Sequence, residues 1–137
     1  MNQSNTRRAG FALITIFGAL LIFQLLLALG NPLTGAAWGG QYEVLPTSLR
    51  LASLVAALIF LFAILVVLEK LGLVTLLKRR KLINGILWFF RAYLLLNTVG
   101  NLASSSDVER WLFGPATAIA SALTAVVALR TRRATST

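Results

Sequence analysis

Four apolar runs, each about 20 residues long, decide most of what this chain can fold into: Phe11 to Leu29, Leu49 to Leu68, Leu82 to Leu102 and Trp111 to Leu129. At roughly 1.5 Å of rise per residue, each reaches about 30 Å as a helix, the thickness of a bilayer's hydrocarbon layer. Nothing in lipid satisfies free backbone amides, so such runs must be helical. Only 12% of the 137 residues are charged, where about a quarter is usual for a soluble domain. The expectation is an all-α, integral membrane four-transmembrane-helix bundle, one domain over residues 1–137. It has an outer loop over 30–48 and a basic inner loop over 70–81.

Lysine and arginine positions set the orientation. Arg7 and Arg8 precede the first run, Lys70, Lys78, Arg79, Arg80 and Lys81 lie between the second and third, and Arg130, Arg132 and Arg133 follow the fourth. Those ten fall on one side, and only Arg50 and Arg110 on the other. The positive-inside rule then puts both termini in the cytoplasm. The competing reading of the first run is a cleaved signal peptide, but its apolar core is longer than such a segment needs.

A net charge of +9 could mark a nucleic-acid binder. Here the charges cluster at the ends of apolar runs and leave no polar surface for nucleic acid. They read instead as contacts to anionic lipid headgroups at the cytoplasmic face. The chain has no cysteine and no histidine, which removes disulfides, thiol chemistry and the usual zinc and haem ligands. The four carboxylates, Glu43, Glu69, Asp107 and Glu109, all lie at or beyond helix ends. No metal, cofactor or catalytic residue is expected.

The connections carry local signals. Gly30 to Ser48 is rich in Gly and Pro, and its Trp38 and Tyr42 favour a headgroup layer. Thr47 or Ser48 is expected to cap the second helix. Ser106-Asp-Val-Glu109 fits a capping box opening the fourth. Gly114-Pro115, one turn further on, is expected to kink it. Leu71 to Leu77 either extends the second helix or lies in the inner interface.

Arg91 stands near the middle of the third run, and a guanidinium keeps its charge even in hydrocarbon. Three readings stay open. It snorkels to the inner headgroups, or ties to a carbonyl or to Glu43, or contacts an anion or headgroup inside a cavity. A second feature is a polar layer: Gln24, Ser53, Asn97 and Thr117 come from four different runs, each four to six residues from its outer end. Thr98 and Asn101 sit beside Asn97. Turned inward, these side chains form either an outward-opening ligand pocket above Arg91 or hydrogen bonds between helices, worth about 0.6–2 kcal/mol per pair.

Small residues recur every four positions, as Gly114, Ala118 and Ala122 and as Thr117, Ser121 and Ala125, a spacing that lets helices approach closely. Leu25–Asn31 also resembles Leu95–Asn101 at a constant offset, and Arg50 and Arg110 each open the following helix. An old duplication of a helical hairpin would produce that pattern.

A Pro-Leu-x-Gly-x-x-Trp-Gly-Gly loop, Pro32 to Gly40, and an Asn-x-x-Ser … Glu-Arg approach to the last helix, Asn101 to Arg110, are similar to features of small four-helix bacterial inner-membrane proteins with no assigned role. The resemblance implies a fold and no activity. The leading expectation is a non-enzymatic membrane protein that binds a small amphiphile or lipid, or serves as an accessory subunit. Arg91, Gln24, Asn97, Asn101, Thr98, Ser53 and Thr117 are its candidate ligand-binding residues. A channel or small-solute transporter, built as a homo-oligomer or within a larger membrane complex, is the alternative.

Overall fold

The computed structural model describes residues 3–130, and within them every regular element is a helix. Four helices carry the fold: α1 (Gln3–Ala28), α2 (Thr47–Lys70), α3 (Arg80–Leu102) and α4 (Gly114–Leu129). With the turn that precedes α4, all four are long and apolar enough to cross a membrane. Their outward faces are as apolar as their inward ones: Phe89, Leu96 and Trp111 are 67%, 72% and 73% exposed. A helix apolar all round suits lipid rather than water. Arg132 and Arg133, used in the orientation argument, lie outside the described residues.

The helices form two antiparallel hairpins, α1 with α2 and α3 with α4, joined chiefly by α1 lying against α4. α2 packs only lightly on α3. The two hairpin loops meet at one end of the bundle, called here the loop end. The α2–α3 connection and the end of α4 lie at the other, the basic end. Phe17 of α1 sits at the centre of the core, its ring 5.9 Å from Phe60 of α2 and 6.4 Å from Phe90 of α3. Leu13, Leu87, Leu94 and Val127 surround it and are fully buried. A smaller cluster of Leu27, Ala37 and Leu45 lies under the first loop.

Glycines stop two of the helices. Gly30 (φ 85°) and Gly72 (φ 74°) take the left-handed conformation that side chains resist. Past each, the chain folds back: Asn31 N–H donates to Leu26 O and Leu73 N–H to Leu68 O, both at 2.9 Å. This double-bonded ending satisfies carbonyls that the helix alone leaves free. α2 therefore ends at Lys70, and Leu71 to Leu77 do not extend it.

Glu69 explains how that basic-end connection holds its shape. Its nearly buried carboxylate accepts the backbone N–H of Leu77 and of Lys78, each at 2.9 Å. Next to it, Lys70 donates to Asn84 Oδ1 on α3 and, at 3.4 Å, to Ala128 O on α4. Adjacent residues thus tie α2 to its own loop and to two other helices.

Several sequence expectations shift by a turn or change partner. α1 starts at Gln3, so Arg7 and Arg8 ride on the helix rather than on a tail before it. Lys70 belongs to α2 and Arg80 and Lys81 to α3, which shortens the basic connection to residues 71–79. Neither Thr47 nor Ser48 caps α2. Pro46 holds the cap position, and its carbonyl accepts Leu49 and Arg50 N–H at 3.0 Å. Pro115 falls in the first turn of α4. One wide π turn, Glu109–Phe113, precedes it, with Gly114 N–H reaching back to Glu109 O. A π turn shifts the ladder by one residue and so absorbs the amide that proline lacks.

Of the small-residue ridges, Thr117 and Ser121 face inward with Ala120 and Thr124, while Ala122 is exposed. Gly114 is buried where α4 crosses the end of α3, and a β-carbon there would stand 2.7 Å from Leu102 Cδ2. Gly114→Val is therefore expected to overpack this crossing and cost about 1–3 kcal/mol, read as a lower unfolding midpoint in detergent. The double variant with Leu102→Ala should recover most of that loss.

Candidate ligand-binding cavity

Between the apolar core and the first loop lies a cavity of about 650 Å³. Its floor is Leu20 and Phe60, at the top of the core. Its roof is Ala36 to Gly39, drawn from two short 3-10 turns, Thr34–Ala36 and Trp38–Gly40. Phe23 and Phe113, with ring centroids 4.7 Å apart, close the side where α1 meets α4. On the opposite side Ala56, Tyr93, Leu96 and Gly100 line the lightly packed seam between α2 and α3.

The roof is held by short-range chemistry at the start of α4. Three consecutive serines each tie down a different group. Ser104 Oγ donates to the Glu109 carboxylate, Ser105 Oγ to Gly39 O at 3.0 Å, and Ser106 Oγ to Gly35 O at 2.8 Å. Glu109 Oε2 accepts the Gly39 N–H at 3.1 Å, across seventy residues of sequence. The expected capping box is half made. Ser106 Oγ accepts the Glu109 N–H at 3.4 Å, but Ser106 N–H goes to Ser104 Oγ at 3.0 Å. That exchange leaves the Glu109 carboxylate facing the loop and the cavity instead of closing back on its own helix.

Trp38 adds a second anchor. Its indole N–H donates to Ser53 Oγ on α2 at 3.2 Å. Its backbone sits at φ 53°, and Gly39 and Gly40 follow at 78° and 66°. Left-handed geometry at a bulky residue costs of order 1–3 kcal/mol, and surrounding contacts must hold it there. Gly40 is required by space as well as by angle, since a β-carbon would stand 3.0 Å from Gly35 O. Arg50 pins the start of the loop by donating from Nε to Ala28 O at 3.0 Å.

The structure divides the candidate residues into two groups. Gln24, Asn97, Asn101 and Thr117 all line the cavity. Ser53, Thr98 and Arg91 do not. Ser53 is fully buried and occupied by Trp38. The Thr98 hydroxyl lies 2.9 Å from that of Thr117, bridging α3 and α4. Arg91 lies two helical turns from Thr98, on the α4-facing flank of α3, and its guanidinium stacks over Trp88, 5.1 Å from the ring centroid. Helical side chains lean toward their own N-terminus, which here carries the charge toward the basic end and away from the cavity. The carbonyl of Arg91 meets α4, accepting Ser121 Oγ at 3.3 Å.

Two lining features escaped the sequence. Glu109 reads from spacing as a simple cap, because its partners Gly39 and Ser104 are set by tertiary folding. The aromatic wall of Phe23, Trp38, Phe60, Tyr93 and Phe113 is indistinguishable from core in a chain where 58% of residues are hydrophobic. Asn97 spends its amide N–H on Tyr93 O at 2.8 Å. Gln24 Oε1 is buried and accepts no hydrogen bond. A buried, unused acceptor is costly, about 1–3 kcal/mol, and marks a place where a donor belongs.

Tyr93 also lines a second, almost wholly apolar groove of about 490 Å³. This groove follows the same α2–α3 seam toward the basic end, between Ile59, Phe62, Ile86 and Phe89, with Lys81 at its far end. Comparison with protein-family models, curated proteins and solved structures returns no match.

Glu109→Ala should free the Gly39 amide and raise its hydrogen exchange about tenfold or more, since a bond to a charged acceptor is worth about 1.5–3 kcal/mol. Glu109→Gln, which keeps an oxygen in place, should give a clearly smaller rise.

Proposed function

We propose that this chain is a non-enzymatic, multi-pass protein of a bacterial inner membrane that binds a small amphiphile or lipid in the cavity beneath its first loop. One observation carries the reading: a cavity with amides and a carboxylate under its roof and an almost wholly apolar groove lie along the same α2–α3 seam, with Tyr93 lining both. A volume of about 650 Å³ lies within the roughly 300–1,000 Å³ typical of sites for small organic ligands. The head of an amphiphile would rest against Gln24, Asn97 and Asn101, and its tail would leave sideways along Tyr93.

The basic residues orient the chain. Lys70, Lys78, Arg79, Arg80 and Lys81 crowd the basic end, which becomes the cytoplasmic side with both termini. The loop end then faces outward, and the cavity draws from the outer leaflet. In this arrangement Arg91 serves the membrane rather than the ligand, its charge leaning toward the inner headgroups over Trp88.

Native mass spectrometry after mild detergent extraction tests the binding. The wild-type chain should retain a lipid or detergent adduct. Gly100→Phe, which fills a cavity wall where a β-carbon meets nothing within 4 Å, should lose it while remaining folded. Arg91→Leu should keep it. Equal adducts in wild type and Gly100→Phe would remove the cavity as the site.

The absence of cysteine makes the orientation testable without background labelling. On intact cells a membrane-impermeant maleimide should modify Gln41→Cys and spare Arg79→Cys. The reverse pattern would invert the topology.

A further inference from the structure

We propose that the cavity selects amphiphiles whose head carries a protonated, hydrogen-bond-donating nitrogen, such as an alkylammonium or a lipid amine. This rests on the amphiphile reading above and names the ligand's chemical class. The chain as a whole is strongly basic, at +9, which on its own would favour anions. The cavity has the opposite sign. Among the described residues that line it, Glu109 is the one charged side chain, and no lysine or arginine joins it.

The nearby cations are turned elsewhere. Arg50 is spent on Ala28 O, and Arg110 on Ser104 O and on Asp107, 3.8 Å away. The recorded partners of the Glu109 carboxylate are uncharged, the Ser104 hydroxyl and the Gly39 amide. Its negative charge is therefore hydrogen-bonded but not neutralised by them.

A second, independent observation points the same way. Gln24 lines the cavity, and its Oε1, about one helical turn below the end of α1, has no donor but is closed off from the cavity space, so a head reaches it by a turn of the amide. An anionic head would meet a carboxylate of like charge and an unfilled acceptor. A neutral head would satisfy the acceptor at most. An ammonium supplies both the positive charge and the N–H donors, and the faces of Trp38 and Tyr93 add the attraction that aromatic rings have for cations.

The test uses the purified full chain in a neutral sugar detergent. Three amphiphiles of equal tail length compete for it: an alkylammonium, a neutral alkyl alcohol and an alkyl sulfate. The alkylammonium should bind about tenfold or more tightly than the alcohol, the gain expected of a charge-assisted hydrogen bond, and the sulfate least well. Gln24→Leu and Glu109→Gln should each shrink the ratio of alkylammonium to alcohol binding, and Gln24→Leu should weaken alcohol binding as well, since the alcohol O–H loses the same acceptor. Gln24→Leu removes an unpaired polar atom, so it should fold at least as well as the wild type. It keeps the test decisive even if Glu109→Gln loosens the loop.

Equal binding of all three heads, or a preference for the sulfate, would overturn the inference while leaving the amphiphile reading intact. A preference that survives both substitutions would overturn it as well. No binding of any of the three would remove the amphiphile reading itself.

Discussion

The loop end depends on one carboxylate that declines its ordinary partner. In a complete capping box the Glu109 side chain would return to the Ser106 amide and the start of α4 would be self-contained. Ser104 takes that amide instead, and Glu109 reaches out to Gly39. The consequence is architectural. The loop is held over the bundle chiefly by bonds from the segment Ser104 to Glu109, with Trp38 on Ser53 as a second anchor, and the cavity lies beneath it. The left-handed backbone of Trp38 is tenable only because both of its ends are tied, by Ser53 and by the Gly39 network.

The basic end repeats the device. Glu69 accepts backbone amides from the α2–α3 connection much as Glu109 accepts one from the α1–α2 loop. Two of the four carboxylates thus serve to fold connections, an economical use of charge in a chain that has little of it. Backbone N–H groups in short, irregular loops have no ladder to join, and a fixed carboxylate is a strong acceptor for them. Arginine plays the complementary part at carbonyls. Arg50 and Arg110, each near the start of the second limb of a hairpin, donate to a carbonyl at or just past the end of the first limb, Ala28 and Ser104. The likeness between the two hairpins first visible at Leu25–Asn31 and Leu95–Asn101 therefore has a counterpart in how each hairpin is closed.

The four helices were legible because length and apolarity alone specify them. Their ends moved by a turn at most except at α1, where polar residues before Phe11 continue the helix to Gln3. Polar side chains in apolar runs were equally legible. Gln24, Asn97 and Thr117, three members of the polar layer, line one cavity, and Asn101 lines it one turn further along α3. Arg91 was misleading in position though not in kind. Depth along a helix says nothing about azimuth, and its long stem carries the charge a turn away from its own Cα. Ser53 and Glu109 were beyond reach for a different reason. Their partners lie in loops, and loop conformation follows from tertiary contacts that no periodicity encodes.

The sign of a site need not follow the sign of the chain. Coulomb interactions in this molecule are sorted by depth: among the described residues, the lysines and arginines other than Arg91 stand toward helix ends or in connections, while the cavity under the first loop holds one carboxylate among aromatic rings. At the lower effective dielectric of a partly enclosed site, one near charge outweighs many distant, screened ones. The same enclosure explains the weak α2–α3 seam. Sealing it would improve packing, yet Ala56, Leu96 and Gly100 leave it thin at the level of the polar groups. On the amphiphile reading proposed above, a seam left thin at the depth of Gln24 and Asn97 would let a ligand enter from the side, with no need to pass the loop above.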